Sequence, residues 1–284
     1  MQIRDLTDAD FQRYQCCLEE YEPLLDPGKP YKAEWYNDLK NKGLRIKLAV
    51  DDDAEIAGFI HYAPIEQTPI RGQNLYFVYC IWVHGHKLGI GNRQQRGLGK
   101  ALLEAAENDA KCLGAKGLVA WGLRIPVWMK AAWFRKHGYK VADKKGMMAL
   151  VYKAFSADCP KPAFPKPRKQ VPKARDRVII SDFICGWCTY TNVTHAHAAR
   201  IAAEYPADVE LMTYNLRDPT IREEWGIGET LFINGKEIRM APPLSYEALK
   251  AKVEKQIQKL KRKKKATGIF WTPAAGESDK GLGF

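Results

Sequence analysis

Two short patterns in this 284-residue chain are able to carry chemistry. In the first, Gln94-Gln95-Arg96-Gly97-Leu98-Gly99-Lys100, two glycines lie two residues apart just before an apolar-periodic segment. Glycines at that spacing let backbone N–H groups converge and let a bulky anion come close. A following helix adds its own free N–H groups and the positive end of its dipole. A pyrophosphate fits such a cradle, although a plain tight turn leaves the same trace. The second pattern is Cys185-Gly186-Trp187-Cys188. Between a strand and a helix, it sets the first thiol at a helix N-terminus, where a thiolate is stabilised. In a βαβ context the spacing reads as a redox pair, Cys185 with Cys188. His195 and His197 add metal-capable side chains. However, Cys188 and His195 are seven residues apart on one helix, roughly 10 Å, too far for one tetrahedral ion. No four-ligand metal site is expected, and capture of a soft ion by Cys185 and Cys188 alone stays open.

Alternation and punctuation predict the elements that must position these patterns. Ile3–Leu6 reads as a short strand, and Thr7 with Asp10 as a capping-box start for a helix to about Glu20. Leu44–Val50 and Ile56–Pro64 flank three aspartates as a hairpin, and Leu75–Val83 is a central strand. Leu98–Leu113 is a helix stopped by Gly114, with apolar residues at 98, 102, 105, 106 and 113. Gly117–Leu123, Trp128–His137 and Lys140–Val151 follow as strand, helix and strand. The later part reads as strand Val178–Ile184, helix Cys188–Glu204 and strand Val209–Tyr214, then a hairpin turning at Asn234-Gly235. Ser245 caps a last helix with the stripe Leu249, Val253, Ile257 and Leu260.

The five prolines of 156–177, interleaved with Lys and Arg, predict an extended, semi-rigid linker. It divides a domain at 1–155 from one at 178–265, with a tail at 266–284. Apolar residues are 46% and charged residues 27%, which excludes extensive disorder. No run approaches the ~18 apolar residues of a membrane span. The charged N-terminus lacks a secretory pattern, and seven scattered cysteines make no disulfide scaffold. A cytoplasmic protein without a membrane partner is expected. The net charge of +12 suggests a polyanionic partner. Yet residues 153–177 hold +6 and residues 250–265 hold +8, leaving −2 elsewhere. The charge therefore predicts an auxiliary polyanion contact through 250–265 rather than a basic folded body.

The element order, the segment Gln-x-x-Gly-x-Gly-Lys-Ala-Leu-Leu at 94–103 and Ala-x-x-x-x-x-x-Gly-Tyr at 131–139 resemble the GNAT superfamily of N-acetyltransferases. The resemblance covers about residues 1–155. With the basic linker and the cysteine module, the whole order is similar to proteins carrying a YoaP-like C-terminal domain. The expected fold class is α+β: a GNAT-like mixed-sheet domain followed by a thioredoxin-like α/β domain. The resemblance implies acetyl-CoA as cofactor. Ile81 and Val83 would offer backbone groups to the pantetheine arm, and Gln94, Gln95, Arg96, Gly97, Leu98, Gly99 and Lys100 would hold the pyrophosphate. The sequence departs from the family with Trp128 where an Asn is common and Phe134 where a Tyr general acid is common.

The implied reaction is direct acetyl transfer to a primary amine, on a small molecule or a protein. The amine must lose a proton, so a base is required. His84 and His86 lie just past the central strand and Glu66 after its neighbour; His84 is the first candidate. Tyr139 or Tyr79 would stand in for the missing acid. Two other readings compete. One is a thiol redox or soft-metal-binding protein with a regulatory acyl-CoA-binding domain, and the other is a nucleic-acid binder.

Overall fold

The computed structural model describes residues 1–240 and 242–266. Expectations about the tail beyond Ala266 lie outside these residues. The chain is α+β and builds two sheets. The first has seven strands: β1 (Gln2–Asp5), β2 (Arg45–Val50), β3 (Ile56–Pro64), β4 (Tyr76–Val83), β5 (Gly117–Leu123), β6 (Lys140–Lys145) and β7 (Met148–Ala154). Their order is β1-β2-β3-β4-β5-β7-β6. Only β4 and β5 run parallel. The strand expected over 140–151 is thus two, turned at Gly146, where φ is +55°.

β3 reads Ile-Ala-Gly-Phe-Ile-His-Tyr-Ala-Pro and is buried on both faces through Ala63, as a central strand must be when layers cover both sides. One face carries α3 (Leu98–Cys112) and α4 (Ala131–Lys136). α3 buries Leu98, Leu102, Leu103, Ala106 and Ala110 against Ile60, Tyr62 and Val78. Leu113, counted in the expected stripe, is 49% exposed. The other face carries α1 (Phe11–Gln15) and α2 (Lys29–Leu39), joined by a 3-10 turn at Pro23–Gly28. The helix expected to Glu20 stops at Gln15, because Cys17 and Leu18 adopt left-handed backbone at φ +57° and +63°.

The second sheet has four strands: β8 (Val178–Ile184), β9 (Val209–Asn215), β10 (Thr230–Ile233) and β11 (Lys236–Ile238). Their order is β11-β10-β8-β9, with β8 and β9 parallel and the rest antiparallel. α5 (Thr189–Glu204) and α7 (Tyr246–Ala266) cover one face, where Leu249, Val253, Ile257 and Leu260 meet Val178, Ile180 and Ile201. A short α6 (Pro219–Trp225) precedes β10.

The opposite face of this sheet is partly covered by the first. Phe183, Leu216, Trp225 and Ile227 join one continuous core with Tyr14, Trp35, Phe77 and Tyr79 of the first sheet's layer. Polar contacts follow the seam. Thr189 Oγ1 donates to Gln15 O at 2.6 Å, Asn192 Nδ2 to Gly28 O at 3.2 Å and Arg222 to Glu66 O at 2.7 Å. Gly28 is required here, since a Cβ would stand 2.3 Å from Thr189 O.

The proline-rich stretch corrects the picture of a free linker. It is a strap pinned to both sheets. Arg71 and Ala163 exchange backbone hydrogen bonds, Arg168 N donates to Trp225 O at 2.9 Å, and Ala174 N to Asn234 Oδ1 at 3.0 Å. Phe164 N adds a bond to Asp143 Oδ2 at 2.9 Å.

Candidate active site at the splayed strands

β4 and β5 pair only at Tyr76–Leu118, Phe77–Val119 and Val78–Ala120. Beyond that they part, for two reasons. β5 stays in register with β7 as far as Leu123. β4 carries a bulge opposite His61/Tyr62, which increases its twist away from β5. Trp121 bridges the fork, its indole N–H donating to Tyr79 O at 2.7 Å. The fork opens into a cleft of about 590 Å³.

Ile81 and Val83 line this cleft together with Gln94, Gln95, Gly97, Leu98, Gly99 and Lys100. Arg96 sits exposed on the loop instead of on the wall. The opposing wall is Pro126–Lys130 with Trp133 and Phe134. Gly97 caps α3 at φ +81°, and a Cβ there would meet open space, so the loop leaves room beside its own backbone. The first-turn N–H groups of α3 have no partner within the helix. Gln94 ties the loop to the strand end through Nε2 to Val83 O at 3.3 Å. The loop and the strand end therefore form one concave surface, with backbone donors at one end and apolar walls along it.

The expected catalytic side chains are elsewhere. His84 is fully buried. Its Nδ1 bonds Gly91 O at 2.9 Å and its Nε2 faces Tyr21 Oη at 3.3 Å, so both ring nitrogens brace the 84–93 loop. It is a structural histidine and not an available base. Glu66 is exposed beside the start of β4, since Pro64 pairs with Tyr76. That is roughly 20 Å along the strand from Val83. Its carboxylate holds Asn74 N at 2.7 Å. Tyr139 is core, edge-on to Phe134, and burial with the neighbouring Glu107 carboxylate pushes its phenol well up. It supplies no acid to the cleft.

Sequence reasoning underrated another pair at the strand end. His86 is about half exposed, and its Nε2 lies 3.3 Å from Glu19 Oε1. Its ring is 5.8 Å from that of Trp82, which lines the cleft. Glu19 is buried and also accepts from the Tyr190 hydroxyl of α5. No local pattern announces this, because Glu19 is sixty-seven residues from His86 in sequence and Tyr190 belongs to the other sheet.

The side of the fork opposite α3 is covered by the Cys-Gly-Trp-Cys loop. Trp187 packs on His61, Tyr79 and Trp121, with ring centroids 5.8, 5.9 and 6.2 Å away. Cys185 and Cys188 are buried and free. Cys188, rather than Cys185, caps α5. The expectation of a stabilised thiolate is reversed. Burial first, then the Glu229 carboxylate, pushes Cys185 well up, and burial with neighbouring Cys17 pushes Cys188 up to about 12. Glu229 accepts from Cys185 N and Gly186 N at 3.3 and 3.1 Å. His195 points inward, its Nδ1 bonded to Asp182 and its Nε2 3.7 Å from Glu229. Burial alone would lower His195, but Asp182 and then Glu229 outweigh it and raise it to about 9. His197 instead contacts Leu244 O at 3.2 Å.

A mixed sheet forked beside a Gly-x-Gly helix start defines a domain built to hold an extended, anion-bearing ligand along a strand end. Residues 3–139 match the model described as the acetyltransferase (GNAT) family. The chain is 26% identical over 156 residues to the uncharacterized N-acetyltransferase YoaP of Bacillus subtilis (strain 168), covering 51% of this chain and 57% of that relative. The chain thus spans little more than half the length of the curated relative it matches. Among solved structures, a GNAT family acetyltransferase from Brucella melitensis in complex with acetyl-CoA is 20% identical, covering 56% of this chain and 91% of that one, TM-score 0.37. The GNAT family N-acetyltransferase YhbS from Escherichia coli in complex with CoA is 16% identical, covering 55% and 82%, TM-score 0.40. The PaiA N-acetyltransferase from Thermoplasma acidophilum in complex with coenzyme A is 19% identical, covering 54% and 98%, TM-score 0.41. No helix among the described residues is long and apolar enough to cross a membrane.

Proposed function

We propose that the chain is an acetyl-CoA-dependent N-acetyltransferase that uses the forked cleft, with a primary amine as acceptor. The observation that carries this reading is the cleft itself. A left-handed Gly97 and the open N-terminus of α3 lie at one end of an apolar slot bounded by Ile81 and Val83, inside the stretch that matches the acetyltransferase (GNAT) family model. Free N–H groups at a helix start and a backbone with room beside it fit a pyrophosphate. The apolar walls fit a pantetheine arm. Bound there, acetyl-CoA would supply an activated thioester.

The chain's own part is to hold and deprotonate. Gly97–Lys100 bind the anion, and the strand end of β4 aligns the arm. His86, backed by Glu19, takes the amine proton, which replaces His84 in that role. Glu19 fixes the imidazole, and Tyr190 fixes Glu19. Phe134 gives the cleft a hydrocarbon wall where an acid would stand, so no acid is assigned.

We read residues 1–155 as this domain, 156–177 as a strap and 178–265 as a thioredoxin-like domain of the YoaP type. The order β11-β10-β8-β9, with only β8 and β9 parallel, supports the last reading. The cationic face of α7 serves as an auxiliary polyanion contact. Titration calorimetry and thermal unfolding with acetyl-CoA test the central claim. At about 100 times Kd, acetyl-CoA should add roughly 2.7 kcal/mol of stability. A panel of amines, followed by release of free CoA, should then identify the acceptor. No binding heat and no stabilisation would overturn the assignment.

A further inference from the structure

We infer that Cys17 and Cys188 form a peroxide-sensitive disulfide site that joins the two sheets' halves of the chain, independently of acetyl transfer. The cysteine spacing alone would pair Cys185 with Cys188. In the folded chain their surroundings differ. Cys185 is engaged by Glu229 at its backbone N–H, with the Tyr79 hydroxyl beside its sulfur. Cys188 caps α5, and the next residue, Thr189, brings its Oγ1 to 3.6 Å from Cys17 Sγ. Cys188 therefore stands one residue from a side chain that touches Cys17 across the seam. Cys80 lies on β4 and is buried.

Two further features single out Cys17 as the sulfur that reacts first. It is only half-buried, whereas Cys80 and Cys188 are buried. The ammonium of Lys32 lies 3.4 Å from its Sγ. Lys32 is itself fully buried, with Tyr14 O at 2.8 Å and no carboxylate partner among the described residues. A fixed cation with no anion of its own supports a sulfur acting as nucleophile.

The co-reactant is a hydroperoxide. The Cys17 sulfur attacks one peroxide oxygen, the O–O bond breaks, and an alcohol (water, for hydrogen peroxide) leaves. Cys17 is then a sulfenic acid. The Cys188 sulfur attacks it, the S–S bond forms, the S–O bond breaks, and water leaves with the Cys188 proton. The two thiols lose two electrons and the peroxide gains them. The product would staple the end of α1 to the start of α5 and hold the Cys-Gly-Trp-Cys loop over the fork.

The test is peptide mapping of the full chain after hydrogen peroxide and alkylation of the remaining thiols. The expected product is a cross-linked peptide pair joining Cys17 to Cys188, two hydrogens lighter than the reduced pair, with fragmentation separating Cys17 from Cys16. Cys17→Ser and Cys188→Ser should each abolish it, whereas Cys16→Ser, Cys80→Ser and Cys185→Ser should retain it. A tryptic nick in the exposed part of the strap gives a second readout that needs no variant. On a non-reducing gel the oxidised halves should migrate together, and reduction should part them. A link between Cys185 and Cys188, a link between Cys17 and Cys80, or complete alkylation of both Cys17 and Cys188 in the folded, peroxide-treated chain would overturn the inference.

Discussion

The indole of Trp187 meets that of Trp121 edge-on at 6.2 Å, and Trp121 meets Trp128 the same way at 5.2 Å. Trp128 lines the cleft, so an aromatic wall runs from the cysteine loop to the cleft. Replacing Trp187 with Ala removes the far end of that wall. Because the indole is only partly buried, the cost should fall near the low end for such truncations, about 1–3 kcal/mol in urea unfolding. Acetyl-CoA affinity, read by calorimetry, should stay within about twofold. The KM for the acceptor amine should rise.

The two histidines past β4 should separate cleanly. His86→Ala should lower kcat by about 100-fold with little change in thermal stability, since the ring is half exposed. His84→Ala should do the reverse. It removes a fully buried ring with both nitrogens engaged, so the melting temperature should fall while kcat at a temperature well below it is largely kept. Equal losses of kcat in both variants would contradict the assignment.

Gly97→Ala tests the cradle. The added Cβ meets nothing within 4 Å, so the cost is backbone strain at φ +81°, about 1–2 kcal/mol. Relief of that strain should turn the first N–H groups of α3 away from the cleft. Acetyl-CoA binding should weaken by about tenfold, and the stabilisation at a fixed ligand concentration should shrink accordingly.

The buried His195 makes stability depend on pH. Its folded value, about 9, lies above the ordinary 6.5, because Asp182 and Glu229 outweigh the burial that would lower it. The cation's contribution is therefore complete below about pH 6.5 and is lost as pH rises through about 9. The difference corresponds to about 3 kcal/mol at most. Denaturant unfolding at pH 6, 7.5 and 9.5 (approximate set points) should show a decline over this window, and His195→Gln should flatten it.

The outer face of α7 should bind polyanions through charge alone. Lys252, Lys255, Lys259 and Arg262 recur along one exposed stripe, while Lys250 and Lys261 pair with Glu204 and Asp208. The triple change of Lys255, Lys259 and Arg262 to Gln leaves the apolar stripe intact. Stability should move by less than about 0.5 kcal/mol. The slope of log affinity against log salt for a single-stranded RNA should fall by about 2.

The local signals that proved readable were those held by backbone geometry. Gly97 and Gly114 bracket α3 at φ +81° and +79°, and Asn234-Gly235 turns the β10–β11 hairpin at φ +47° and +76°. α6 also left its marks, with Asp218 accepting from Thr220 N, Pro219 in the first turn and Gly226 left-handed at its end, but its brevity hid them. α2 was silent for a different reason. Its buried positions are Lys32, Trp35 and Leu39, and a lysine inside breaks the apolar stripe that would mark a helix. The site divided along the same line. The glycine loop was legible because its backbone constraint leaves a local pattern. His86, Glu19 and Tyr190 were not, because their meeting depends on two sheets sharing one seam.

That seam also bears on how the protein is made. The core around Tyr14, Trp35 and Phe77 is closed by Phe183, Leu216 and Trp225, which lie later in the chain. Gln15 O and Gly28 O each receive a donor from α5. During translation, the first sheet emerges with one apolar flank bare and with carbonyls awaiting partners not yet synthesised. Domains generally fold as units from the N-terminal side as the ribosome proceeds. Here the N-terminal unit reaches its finished form only after the second sheet has left the exit tunnel, and until then its uncovered flank is the surface a nascent-chain chaperone would hold.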